Sequence, residues 1–189
     1  MEGNLEKTDE QVVKEILAGR LDDFGILVQR YEEKLKRYGW RFLSSPEGIE
    51  DIVQEVFISV YKNLKSFDLD KRFSPWIYRI AHNAYINALK KRSRDPLPFF
   101  DPDVLFPHPI TPERPDRDLE KKEVRELLDK SLNMLPPKYR EPLILFYLQE
   151  LDYANIAEIL HLPISTVGVR ISRGRKMLQK NSNPSDYKL

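Results

Sequence analysis

Apolar residues recur along this chain at intervals of three and four, the spacing of one face of an α-helix, almost from end to end. Thr8 and Gln11 have the spacing of a capping box ahead of Val12, Val13, Ile16 and Leu17, and Gly19 fits the stop. A second helix is predicted from near Asp22, repeating Phe24, Leu27, Val28, Tyr31, Leu35, Tyr38 and Phe42. Ser45-Pro46 reads as a cap followed by a first-turn proline, and the third helix buries Ile49, Ile52, Val53, Val56, Phe57, Val60 and Leu64. Ser74-Pro75 repeats that signal and predicts a fourth helix from Trp76 to about Arg92. No alternating strand pattern persists anywhere.

The helical rhythm breaks between Arg94 and Asp118, where half of the chain's 14 prolines fall. Proline lacks an N–H and fixes φ, so this stretch reads as an extended strap that at roughly 3.1 Å per residue reaches some 75 Å. It carries six acids and also Phe99, Phe100, Leu105 and Phe106, more apolar surface than a plain spacer needs. Helical spacing then returns over Leu119 to Leu135 and ends at Pro136-Pro137. Leu143 to Leu148 follows with Pro142 in its first turn, then two short helices at about Tyr153–Leu160 and Thr166–Gln179. The expected fold is all-α: two small helical domains joined by a Pro-rich extended linker. Their expected bounds are 1–94, a linker over 95–118, 119–181, and a tail over 182–189.

Composition narrows the chemistry. With no Cys among 189 residues, disulfides and thiolate metal sites are excluded, and the three histidines show no ligand spacing. No apolar run approaches the roughly 20 residues that span a bilayer, and the N-terminus is polar and acidic, unlike a signal peptide. No cofactor is expected, and a cytoplasmic setting is the default. Charge adds the sharper clue. The formal net charge is only +1, yet neither Lys71–Arg94 nor Ile159–Ser185 contains an acid. Two separate basic surfaces on a small protein suggest two contacts with a polyanion; the alternative is two solvated helix faces.

The second basic stretch has a recognisable design. Asp152 and Ser165 can cap the two short helices, and His161-Leu162-Pro163-Ile164 links them tightly. Ile156, Ala157 and Leu160 would face Val167, Ile171 and Leu178. This is a helix-turn-helix pattern, whose second helix enters the major groove of DNA. Its outward face would hold Thr166, Val169, Arg170, Ser172, Arg173 and Lys176, where arginine can bond a guanine edge or hold a phosphate. An ordinary helical hairpin is the alternative. Gly168 and Gly174 inside the second helix each cost up to about 1 kcal/mol relative to Ala, and one reason to keep them would be close backbone approach to DNA.

On the fourth helix, Arg79, Asn83, Asn87, Lys90 and Arg94 share one stripe at spacings of three and four. Mid-helix asparagine is a poor helix former, but its amide offers a donor and an acceptor to base edges. Phe67, Phe73, Trp76, Tyr78 and Tyr85 lie around this stripe, and basic residues mixed with aromatics suit a single strand by stacking and phosphate pairing. Core packing is the alternative for Trp76. Glu47, Glu50, Asp51, Gln54 and Glu55 crowd the start of the third helix. Helix polarity favours acids there; a docking face for a basic or polar partner is the sharper reading.

Three segments together resemble the sigma-70 family of RNA polymerase sigma factors, in its minimal extracytoplasmic-function (ECF) group. Glu50–Phe67 (EDIVQEVFISVYKNLKSF) resembles the core-polymerase-binding segment, and Phe73–Arg94 (FSPWIYRIAHNAYINALKKRSR) the helix that melts and reads the −10 element. Leu135–Leu178 resembles the −35-reading helix-turn-helix domain. The resemblance implies that Asp51, Gln54, Glu55 and Phe57 sit on the coiled-coil in the clamp of the polymerase's large subunit. It implies that Phe67, Phe73, Trp76, Arg79, Asn83, Asn87 and Lys90 serve the −10 element, with a flipped base held near the Lys65–Phe73 loop, and that the strap threads the polymerase. It assigns Thr166, Arg170, Ser172, Arg173 and Arg175 to the −35 duplex. Gly168-Val169 departs from the Lys or Arg, then Ser, often found there, which shifts the expected −35 recognition toward DNA shape or another base preference. An inhibitory anti-sigma partner is typical of the group, though no residue here identifies one.

Two rivals differ in kind. A stand-alone helix-turn-helix repressor or activator leaves the Asn83/Asn87 stripe and the acidic start of the third helix unexplained. An enzyme would need a phosphate-binding glycine loop, a nucleophile motif or a metal constellation, and the chain has none of these. The expectation is a non-catalytic subunit that brings core RNA polymerase to a promoter.

Overall fold

The structure, a computed structural model, describes residues 7–92, 131–132 and 134–181. The expected strap over 95–118, the tail over 182–189 and nearly all of the helix expected from Leu119 lie outside these residues. The chain divides into two compact units, Met1–Pro98 and Phe99–Leu189. The described residues are helical, with no strand among them.

In the first unit, α1 spans Asp9–Leu17. Both bonds of its capping box form: Gln11 N–H donates to Thr8 Oγ1 at 3.2 Å, and Thr8 N–H to Gln11 Oε1 at 2.9 Å. Gly19 follows at φ +106°, a conformation that a side chain would resist. A 3-10 turn over Leu21–Asp23 leads into α2, Phe24–Gly39. The third helix, α3, spans Pro46–Asn63 with Ser45 as its cap, accepting from Gly48 N–H at 3.2 Å. A second 3-10 turn, Leu64–Ser66, precedes α4, Phe73–Arg92.

The start of α4 differs from the expectation. It begins at Phe73, not Trp76, and Ser74-Pro75 lie inside its first turn. The cap comes from elsewhere: Phe73 N–H donates to Glu10 Oε1, in α1, at 2.8 Å.

A cluster of aromatic rings lies within the largely aliphatic core of this unit. Tyr38, Phe42, Phe73, Tyr78 and Tyr85 are among its most completely buried side chains. Phe42 stacks on Tyr85 with centroids 5.2 Å apart, and Tyr38 stands edge-on to Tyr78 at 5.5 Å. Burying each such ring stabilises by about 1.5–3 kcal/mol, provided its polar tip is satisfied. Two tips visibly are: Tyr85 Oη donates to the Leu35 carbonyl at 3.0 Å, and Tyr38 Oη lies 3.0 Å from His82 Nδ1. Gly39 admits the Tyr85 ring, because a Cβ there would sit 2.6 Å from Tyr85 Cζ.

In the second unit, α5 spans Pro137–Tyr147, so Pro137 takes the first-turn place expected of Pro142. Pro142 instead lies buried in mid-helix, which forgoes one intrahelical bond. The next helix, α6, is Tyr153–Leu160, and Asp152 caps it as expected, its Oδ1 accepting from Asn155 N–H at 2.8 Å. His161 ends α6 in the left-handed region at φ 52°. The last helix, α7, spans Ile164–Asn181, one turn including Ser165 rather than capped by it; Pro163 O accepts from Thr166 N–H at 2.9 Å. Leu143, Ile144, Leu145, Leu151, Ile156, Ile159, Val167 and Ile171 are buried. Ile159 therefore fills the core place expected of Leu160, which is half-buried like Leu178.

Candidate nucleic-acid and partner interfaces

Helix periodicity fixes what α4 can present. Its inward side is taken by Phe73, Ile77, Tyr78, Ala81, His82, Tyr85, Ile86 and Leu89. Trp76, Arg79, Asn83, Asn87 and Lys90, at steps of three and four, are thereby placed on one face. Asn83, Asn87 and Lys90 are exposed, and Trp76 and Arg79 half-buried. Arg94, expected to extend this stripe, lies outside the described residues.

Two residues assigned to the −10 element need correction. Phe73 has 0% exposure and Phe67 only 6%, so neither ring is open for stacking on a base. They form an internal support instead: Phe67 lies 5.2 Å from Trp76 and 5.6 Å from Phe73, and Phe73 lies 5.7 Å from Trp76. The half-buried Trp76 is the member of this cluster that reaches solvent. The loop between them is tied by Asp68, whose Oδ1 accepts from Asp70 N–H at 3.1 Å. Lys65, Lys71 and Arg72 are exposed around it.

Asp51, Gln54 and Glu55 are exposed on the outer face of α3, opposite its buried apolar side. Ile58 and Tyr61 continue the same face at 54% and 48% exposure. The apolar spacing of the third helix leaves both out of its buried set, and their offset from the Val53–Val56–Val60 side is the signal that marks them as surface. Phe57, only 8% exposed, sits at the edge of this face. It shares with Val28 and Val53 the apolar lining of a groove of about 230 Å³ between α2 and α3. Glu32, Lys36, Glu50 and Gln54 complete the groove. Lys36 Nζ bridges Glu32 at 2.8 Å, Glu33 at 3.4 Å and Glu50 at 3.9 Å. The Glu32 bond is the main cause that raises the Lys36 pKa. Glu47 is held below the usual carboxylate value by its own backbone N–H and by Ser45, which donates to it at 2.8 Å. The face is thus acidic, with apolar residues within it.

On α7, Val167, Ile171 and Gly174 face inward. Thr166, Arg170 and Arg173 fall on one stripe, with Val169 and Lys176 beside it and Ser172 further round the helix. Arg175, exposed, lies roughly 180° around the helix from Thr166 and does not share that stripe. The glycines separate. A Cβ at Gly174 would meet Leu143 Cδ1 at 2.7 Å and Tyr139 Cβ and O at 3.2 Å, so this glycine serves close packing on α5 and not approach to DNA. A Cβ at Gly168 would meet only Tyr153, at 3.5 Å, which is ordinary contact.

Among the described residues no three His, Asp or Glu side chains gather as metal ligands, and no helix is long and apolar enough to cross a membrane.

The two units define a protein built from the promoter-reading modules of bacterial transcription. The first matches the family model "Sigma-70 region 2" over residues 27–95, and the second matches "Sigma-70, region 4" over residues 125–178. The chain is 34% identical over 176 residues to the ECF RNA polymerase sigma factor SigW of Bacillus subtilis (strain 168), covering 89% of this chain and 93% of that protein. It is 32% identical over 184 residues to the ECF RNA polymerase sigma-E factor of Escherichia coli (strain K12), covering 94% and 95%. The chain belongs to the ECF group of the sigma-70 family and is an RNA polymerase sigma factor. Its fold is shared with CnrH, solved in complex with the cytosolic domain of CnrY, at TM-score 0.62, 22% identity and coverage of 93% and 97%. It is shared equally with RpoE of Bartonella quintana, solved with the anti-sigma factor NepR, at TM-score 0.61, 24% identity and coverage of 84% and 95%.

Proposed function

We propose that three surfaces of this sigma factor divide the work of initiation. The outer face of α3, from Asp51, Gln54 and Glu55 to Ile58 and Tyr61, with Phe57 at the groove edge, docks on the clamp of the large subunit of core RNA polymerase. The Trp76–Arg79–Asn83–Asn87–Lys90 stripe of α4 holds the melted −10 strand. Thr166, Arg170, Ser172 and Arg173 on α7 meet the −35 duplex; Arg175, on the far side of the helix from Thr166, is left out of this contact set. The bounds 1–94 and 119–181 are the working domains, and 95–118 is their linker. The protein works in the bacterial cytoplasm and performs no bond chemistry of its own; nucleotidyl transfer belongs to the polymerase.

The observation that carries this reading is the stripe on α4. A regulator of closed duplex has no use for two exposed mid-helix asparagines flanked by a half-buried tryptophan and by lysine and arginine, with no acid on the helix. That set fits unstacked bases and phosphates. A protein inhibitor of the anti-sigma kind is a further expected partner, since both related structures were solved with a bound protein and RpoE's is named an anti-sigma factor.

The test is transcription in vitro with core polymerase and a broad promoter pool. Initiation at templates sharing a −35 and a −10 element is expected. Failure to initiate on every template overturns the reading.

A further inference from the structure

The first turn of any helix leaves N–H groups without intrahelical partners. In α4 the Phe73 N–H is taken by Glu10, a carboxylate 63 positions upstream in the first turn of α1. The adjacent Asp9 holds the Tyr31 hydroxyl at 2.5 Å and Arg30 Nη1 at 2.6 Å. Tyr31 stands edge-on to Phe73, centroids 5.5 Å apart, and Ser74 hydrogen-bonds the same hydroxyl. Burial, reinforced by the Asp9 carboxylate, pushes the Tyr31 pKa up, so the hydroxyl keeps its proton and remains a donor. Two consecutive acids of α1 thus reach the first two residues of α4, one directly and one through Tyr31. Phe73 in turn supports Phe67 and Trp76, at the foot of the exposed stripe.

We propose that Glu10 is a positioning residue for the −10-reading helix: by capping α4 from α1 it fixes the turn that presents Trp76 and the loop that leads into it. This rests on the reading that α4 meets the −10 strand. Glu10 touches no nucleic acid in this scheme; it acts through Phe73 and the aromatic cluster.

The test compares Glu10→Ala with Glu10→Gln in the full chain. Glutamine keeps a carbonyl oxygen for the Phe73 N–H, whereas alanine removes the acceptor. Loss of a capping acceptor should raise amide hydrogen exchange at Phe73, Ser74 and Trp76 by roughly 2- to 30-fold in Glu10→Ala, with Glu10→Gln close to the unsubstituted protein. Initiation by reconstituted polymerase, at a promoter recovered from the pool, should fall within the same range, while affinity for core polymerase stays unchanged. Unaltered exchange at Phe73–Trp76 in Glu10→Ala overturns the proposal. So does equal impairment of both variants, or a loss of core affinity in step with initiation, since either makes Glu10 a general contributor to folding. If the unsubstituted protein initiates nowhere, the sigma-type reading falls and the proposal with it; if it initiates and Glu10→Ala is unimpaired, the proposal alone falls.

Discussion

Tyr38 with His82, Tyr85 with the Leu35 carbonyl, and Phe73 with Glu10 join residues 44, 50 and 63 positions apart, so directional bonds lock the helices of the first unit across long sequence distances. The second unit brings its short helices together largely on aliphatic side chains, with the Phe146–Tyr153 ring pair at 5.3 Å, a buried Arg140 and a glycine that lets α7 approach α5. On the proposed roles this contrast is physical sense. A melted strand is flexible and supplies no geometry, so the surface that holds it must be held in place itself, bond by bond. A duplex is stiff and brings its own groove, so one helix seated at the right depth suffices.

The largest expected effect tests whether the units stand separately. Leu143→Ala removes a fully buried side chain from the second unit and should cost it about 2–5 kcal/mol. Both tryptophans, Trp40 and Trp76, lie in the first unit. Urea unfolding followed by tryptophan fluorescence should therefore keep its midpoint while far-ultraviolet circular dichroism shows an earlier partial transition; a common shift would mean that the units unfold as one. Next comes the division of surfaces. Asn83→Ala with Asn87→Ala should reduce initiation at a cognate promoter by about thirtyfold or more, if each amide contributes at least about 1 kcal/mol of base contact. Core affinity and duplex −35 binding should be spared, and equal loss of core affinity would break the role split.

The glycines of α7 sharpen the packing side of the contrast. Gly174→Ala should destabilise the second unit by up to about 1–3 kcal/mol, less whatever helix propensity returns. Gly168→Ala, whose methyl would meet only Tyr153 at an ordinary contact distance of 3.5 Å, should stabilise by up to about 1 kcal/mol. Thermal unfolding of the two variants should move in opposite directions. Arg170→Ala or Arg173→Ala should flatten the salt dependence of duplex binding by about one unit of log–log slope per lost phosphate contact; an unaltered slope would remove that residue from the phosphate set.

The smallest effect concerns acid. Glu15 is held below its ordinary value first by Lys7, against the opposing effect of burial, and Glu47 by backbone N–H and Ser45. A depressed carboxylate contributes stability above its unfolded pKa and loses it as pH falls through the folded one. Both groups are in the first unit, so its tryptophan-reported stability should decline as pH drops below about 4.5, and Glu47→Gln should make that decline shallower.

Local signals in the chain were dependable guides. Thr8 with Gln11, Ser45-Pro46 and Asp152 cap the helices their spacing predicts, because a cap involves neighbours within one turn. Where a partner is distant the signal failed. The sequence puts the start of α4 three residues late because its acceptor, Glu10, belongs to another helix and leaves no mark near Phe73. Phe67 and Phe73 looked like stacking surface because periodicity cannot tell an aromatic that faces a strand from one that props up its neighbour. Gly174 looked like a concession to DNA, yet the crowding is from Leu143 and Tyr139. Leu160 and Ile159 are adjacent, and a short helix gives too few turns to decide which of the pair points inward.

Gly174 also sets how promoter taste can drift. On its inner side α7 packs so closely on Tyr139 and Leu143 that not even a methyl fits at Gly174, which ties the helix to α5 at this point. On the proposed role of α7, a change at Val169 or Arg173 would then alter what is offered to a base pair while leaving the place of offering untouched. New preferences can accumulate one residue at a time on an unmoving frame, so descendants of this chain can diverge in target while keeping the same skeleton.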